Sequence, residues 1–120
     1  DIDKNILFEE DRIRTFFLDQ KNKNDIIKMW SQINKSNFDL IVDDGLHTYE
    51  AAIMLFENSV QYLKFNGIYI IEDAQDSDLL KFKNYFDQKF SLYNYNILML
   101  KKSKNSKSNN NLIEIRKIFK

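Results

Sequence analysis

Two short apolar runs frame the most regular stretch of this chain. Phe38-Asp39-Leu40-Ile41-Val42 has polar residues on both sides and leads into Asp43-Asp44-Gly45. Ile68-Tyr69-Ile70-Ile71 leads into Glu72-Asp73. Short apolar runs of this kind read as strands buried on both faces, typical of a parallel sheet. Between them Ile53, Phe56, Val60 and Leu63 recur at helical spacing, and Ala52, Leu55, Ser59 and Tyr62 widen the same face. Thr48 precedes this helix, expected over residues 49–64, and Asn66-Gly67 is expected to stop it. Strand, helix and strand in this order form a βαβ unit with parallel strands.

The flanking patterns are weaker. Arg12 to Leu18 is β-branched and aromatic, and is expected to be a strand. Asp25 is expected to cap a helix through Ile26, Ile27, Met29, Trp30 and Ile33, broken by the polar stretch from Asn34 to Asn37. A helix is expected from Asp78 to Lys89, with Leu79, Leu80, Phe82, Tyr85 and Phe86 inward, then a strand from Leu92 to Leu100. Lys101 to Asn111 has no hydrophobic residue and reads as a hairpin loop. Leu112-Ile113-Glu114-Ile115-Arg116 alternates, as an antiparallel edge strand would. With no internal repeat or composition break, residues 1–120 form one unit of α/β class.

Composition narrows the function classes. The chain has 120 residues, 43% hydrophobic and 30% charged, enough apolar content for a core. Eighteen basic residues balance eighteen acidic ones, which argues against an electrostatic nucleic-acid binder. No run approaches the roughly 18 apolar residues that span a membrane. The absence of cysteine excludes disulfides and thiolate metal sites and fits a reducing, cytoplasmic setting.

Candidate chemistry gathers at the strand ends. In open α/β sheets ligands sit outside the carboxyl ends of the parallel strands. Asp43-Asp44 and Glu72-Asp73 are acidic pairs at two such ends. Neighbouring strands lie about 4.8 Å apart, so the carboxylates would crowd and repel unless a divalent cation joined them. Oxygen ligands suit Mg²⁺, Ca²⁺ or Mn²⁺. His47, the single histidine, follows Asp44 by three residues. A neutral imidazole beside a metal can take the proton of a hydroxyl whose acidity the metal has raised. Any one of these residues alone would be an ordinary turn or helix cap; their combination at successive strand ends is what points to a site.

The stretch Phe38-Asp-Leu-Ile-Val-Asp-Asp-Gly-Leu-His-Thr-Tyr-Glu50, followed by Tyr62-Leu-Lys-Phe-Asn-Gly-Ile-Tyr-Ile-Ile-Glu-Asp73, resembles class I S-adenosylmethionine-dependent methyltransferases of the macrocin and mycinamicin sugar O-methyltransferase type. That family carries Asp-Asp-Gly-Ser-His, a helix, a Leu-Lys-Pro-Gly-Gly turn and a strand ending Ile-Glu-Asp. Asp19-Gln20 matches its Gly-Asp-Gln segment, and Asn111 to Lys117 matches its closing strand. The resemblance implies metal-assisted methyl transfer to a sugar or polysaccharide hydroxyl. Asp44, Glu72 and Asp73 match the family's Mg²⁺ ligands, and His47 matches its general base. Asp1 or Asp3 matches the acid that holds the adenosine ribose, while Asp19 and Gln20 match the segment beside the adenine. Asp43 joins them as a cofactor-side residue.

The implied fold is a partial Rossmann-like class I methyltransferase sheet, mostly parallel, with a C-terminal antiparallel hairpin. Leu46 stands where the family has serine, and Lys64-Phe65-Asn66-Gly67 lacks the proline and first glycine of its turn. The family also places a strand and a glycine-rich loop before the ribose-binding acid, whereas this chain has only Gly45 and Gly67. The expectation is therefore the C-terminal, acceptor-and-metal portion of one methyltransferase domain, whose exposed sheet edge could favour homo-oligomers. Two other classes compete. A catalytically silent binding or assembly module would take up no S-adenosylhomocysteine. A receiver-type phosphorylation switch would accept an acyl phosphate on an aspartate and needs more sheet after Asp44 than this chain holds.

Overall fold

The computed structural model describes residues 1–100 and 111–120. Its elements are β1 (Glu9–Glu10), β2 (Ile13–Arg14), α1 (Lys23–Ile33), β3 (Phe38–Asp43), α2 (Tyr49–Ser59), β4 (Leu63–Ala74), α3 (Leu79–Asp87), β5 (Tyr93–Met99) and β6 (Asn111–Lys117). The main sheet has the order β3-β4-β6-β5. β3 pairs with β4 in parallel across α2, the βαβ unit read from the hydrophobic pattern. The antiparallel part is larger than a C-terminal hairpin, because β6 pairs antiparallel with β4 as well as with β5. Among the described residues no helix is long and apolar enough to cross a membrane.

Helices cover one face of the sheet. Phe56 of α2 is the hub, meeting Tyr69 of β4, Phe86 of α3 and Tyr93 of β5 edge-on at centroid distances of 5.1, 5.2 and 5.2 Å. Ile71, Ile113 and Ile115 complete this core. A second cluster, Ile26, Trp30 and Leu55, joins α1 to α2. There Trp30 stacks on Tyr62 at 4.2 Å, and its indole N–H donates to Ser59 Oγ at 2.8 Å. The polar atom of a large buried ring is thereby satisfied.

Several expectations are corrected. β6 is not an edge strand; it lies between β4 and β5. Its alternation reflects two unlike faces, with Ile113 and Ile115 under the helices, and alternation carries no information about place in the sheet. β3 is not buried on both faces: Leu40 is 50% and Val42 46% exposed. The helix after Thr48 ends at Ser59 in a short 3₁₀ turn, Val60–Tyr62, and Leu63 already belongs to β4. Asn66-Gly67 sits inside that strand, with Asn66 at φ 61 where the β3 pairing shifts register. A Cβ on Gly67 would lie 2.9 Å from the Lys64 carbonyl oxygen and 3.1 Å from that of Phe38, so close backbone approach, not a helix stop, requires glycine here.

The Arg12–Leu18 run is strand only at Ile13–Arg14, in a small hairpin with β1. Beyond it, Leu18 N donates to the Asp1 carbonyl at 2.9 Å and Asp1 N to the Phe16 carbonyl at 2.8 Å, so this stretch pairs with the chain's opening and not with the sheet. α1 starts two residues before Asp25; Asn22 caps it by accepting from Asn24 N at 3.0 Å. The loop expected over 101–111 lies outside the described residues except for Asn111, which opens β6.

Candidate active site

Parallel pairing puts Asp43 level with Ile71, so Asp44 and the Glu72-Asp73 doublet, near the end of β4, lie at the same end of the sheet. The β4–β6 pairing shifts register between Ile71 and Ala74, and Asp73 takes a left-handed conformation with φ 51. Aspartate tolerates that region better than most residues, and the bulge re-aims a side chain that plain alternation would fix. Asp44, His47 and Asp73 each offer one ligand atom, and the three atoms lie within 4.8 Å of one another. Glu72 is outside this group. Two carboxylates at this spacing fit a small divalent cation, with the imidazole beside them.

Asp43 is buried, and its carboxylate is held by neutral donors. Gln20 Nε2 donates to both oxygens at 3.0 Å, and Gly45 N donates to Oδ1 at 3.2 Å. Burial disfavours the charged form more than these bonds favour it, and pushes the Asp43 carboxyl up to about 6. Tyr69 lies beneath, its hydroxyl buried without a hydrogen-bond partner among the described residues. Burial first, and the charge of Asp43 second, push this phenol well above its ordinary value.

The turn between β3 and α2 is held from several directions. Leu46 N donates to Gln20 Oε1 at 2.7 Å, and Gln75 Nε2 donates to the His47 carbonyl at 3.1 Å. A Cβ on Gly45 would sit 2.2 Å from Gln20 Oε1, so glycine is needed for the amide to reach the turn. Thr48 makes no cap bond; the start of α2 is satisfied by Asp78, whose Oδ2 accepts from Tyr49 N at 3.3 Å. Neither Gln75 nor Asp78 is distinguished by sequence pattern, because their partners lie 28 and 29 residues away.

A cleft of about 730 Å³ opens beside this tip, lined among others by Asp1, Asp19, Gln20, Asp43, Asp44 and Leu46. Its size is that of a small-molecule site. Four of the five cofactor-side candidates therefore share one wall. The fifth, Asp3, is not among the lining residues; its carboxylate accepts from Asn5 N at 2.9 Å and caps a 3₁₀ turn. The Gln20 amide is engaged with Asp43 and Leu46, whereas Asp19 Oδ1 accepts a local bond, from Lys21 N at 2.9 Å.

No protein-family model matches this chain, and no curated protein does. Solved structures do. The fold is similar to that of the MycE methyltransferase from the mycinamycin biosynthetic pathway in complex with Mg and SAH, with a TM-score of 0.62 and 22% identity over 98% of this chain. It is similar to the same enzyme in complex with Mg, SAH and mycinamycin VI, at 0.64 and 23% over 98%. The chain spans about a third of those structures, 35% of their length. The α/β architecture is therefore a partial class I methyltransferase-like fold.

Proposed function

We propose that residues 1–120 are the C-terminal part of a methyltransferase domain that performs S-adenosylmethionine-dependent, divalent-metal-assisted O-methyl transfer to a sugar or polysaccharide hydroxyl. The observation that carries this reading is the convergence of Asp44, His47 and Asp73 within 4.8 Å at the shared tip of β3 and β4. The adjoining acidic cleft supports it. So does the similarity to a methyltransferase solved with Mg, SAH and a mycinamycin.

In this reading Asp44 and Asp73, with Glu72 beside them, hold the cation. Bound there, a divalent cation and the sulfonium of the cofactor would supply an acidified acceptor hydroxyl and a transferable methyl group. His47 would take the acceptor's proton, since its imidazole lies within 4.8 Å of a carboxylate oxygen of Asp44 and of Asp73. Asp1 and Asp19, on the cleft wall, offer carboxylates to ribose hydroxyls and adenine, whereas Asp3 is turned to its own cap. Asp43 and Gln20 form the floor between the cofactor cleft and the metal side.

Transfer of a labelled methyl group to sugar hydroxyls, with and without Mg²⁺, tests this. Transfer is expected to require the cation and to fall at least about 100-fold in His47→Ala and in Asp44→Ala. Normal transfer by both variants overturns the assignment. Calorimetry of the 120-residue chain with S-adenosylhomocysteine adds a second check. Saturable heat favours the methyltransferase reading; none at millimolar ligand favours the silent module for this chain.

A further inference from the structure

We propose that Gln20 and Gln75 are positioning residues that grip the turn after β3 from opposite sides, so that Asp44 and His47 are presented to Asp73. The inference rests on the metal reading above and assigns the shaping of that site to two neutral amides.

The turn has few bonds of its own. Within residues 44–48 one backbone bond is made, Thr48 N to the Leu46 carbonyl at 2.8 Å. Two other backbone groups of the turn are held from outside. Leu46 N donates to Gln20 Oε1 at 2.7 Å, and the His47 carbonyl accepts from Gln75 Nε2 at 3.1 Å. Gln20 adjoins Asp19 on the cleft wall, so its grip fastens the turn to the cofactor side. Gln75 follows Asp73 by two residues, so its grip fastens the backbone of His47 to the strand end that carries the opposing carboxylate.

The chemistry demanded at position 20 is specific to an amide. One end of the side chain donates to the two oxygens of buried Asp43 while the other accepts from Leu46 N. An ionised glutamate could not donate and would face Asp43 with like charge. Methionine would keep the volume and make neither bond. Partners of this kind orient ligands without touching the ion, and their loss lowers metal affinity about 10- to 100-fold.

Mn²⁺ binding to the 120-residue chain, followed by paramagnetic resonance of the free ion, tests the proposal. Gln20→Met and Gln75→Met are each expected to weaken Mn²⁺ about 10-fold with helix content and cooperative melting retained. Hydrogen exchange at the Leu46 amide is expected to accelerate in Gln20→Met and not in Gln75→Met. The double variant should lose less than the product of the two single effects, because a turn released on one side is already loosened. Asp44→Asn, which removes a ligand itself, should abolish binding. If Asp44→Asn abolishes binding while both methionine variants bind Mn²⁺ like the parent, the gripping role is overturned and the metal site stands. If Asp44→Asn binds Mn²⁺ unchanged, the metal site falls and the gripping role falls with it. Should Gln20→Met fail to fold, the more exposed Gln75→Met decides between these outcomes.

Discussion

The two faces of the sheet are built from the same strands and have opposite characters. Toward the helices, Tyr69, Ile71, Ile113 and Ile115 are at most 3% exposed, and Phe56 plugs the space above them. On the other face Leu40, Val42 and Leu98 are between 44% and 50% exposed. The single carboxylate that ends β3 on the covered side, Asp43, is buried with the core and held by Gln20. The covered face thus does two jobs. It supplies cohesion through aromatic packing, and at its end it carries a charged group that opposes folding. Regions organised for function commonly carry such unfavourable groups while the surrounding core holds them in place.

The largest expected effect tests the cohesive part. Phe56 is 1% exposed and touches three other aromatic rings within 5.2 Å. Phe56→Ala leaves a cavity between α2, α3 and the sheet, and should cost about 3–5 kcal/mol in denaturant unfolding. A loss below about 1 kcal/mol would mean that the site collapses freely and that the covered face is not the cohesive one.

The next effect has the opposite sign. An ordinary aspartate ionises near 3.8, and Asp43 in the fold near 6. Between those values the folded chain keeps a proton that the unfolded chain has lost, so stability falls as pH rises from about 4 to about 6 and the cost is complete above that. Asp43→Asn removes the cost while preserving an oxygen for Gln20 Nε2 and Gly45 N. Stability at pH 7 should rise by about 2–3 kcal/mol, and the gain should vanish near pH 3.5. Unfolding at the two pH values measures it; an equal gain at both would show that the ionised form is not what burial opposes.

How much of this could be seen in advance depends on the range of the interaction. The β3–α2–β4 unit was legible because its signals are local: two short, mostly apolar runs, a helical period between them and acidic doublets at both ends. That Asp44 and the Glu72-Asp73 doublet share one end of the sheet follows from parallel pairing, whereas the meeting of Asp73 rather than Glu72 with Asp44 depends on the bulge and the left-handed Asp73, which no pattern announces. Asn66-Gly67 misled because a left-handed Asn is chemically the same at a helix end and at a strand bulge; only the Phe38 and Lys64 carbonyls around Gly67 tell them apart. The Phe16–Leu18 stretch has strand composition but finds its partner at Asp1. The amide grip left no trace in any periodic pattern, because Gln20 acts on residues 23 and 26 positions away and Gln75 on one 28 positions back.

The smallest effect sharpens the contrast between the faces. Leu40 pairs with Ile68 on the open side and is 50% exposed. Leu40→Thr introduces a β-branched residue suited to a strand and removes apolar area that is already half in water, so it should change stability by no more than about 1 kcal/mol. If the loss instead approached that of Phe56→Ala, Leu40 would be packed in solution against something. A second copy of the chain would be the first suspect, since mass action would then make the melting temperature rise with protein concentration in the parent and not in Leu40→Thr. A concentration-independent melt with a small loss means the exposed apolar row is what it looks like: a face that contributes little to the stability of this chain, beside one that contributes nearly all of it.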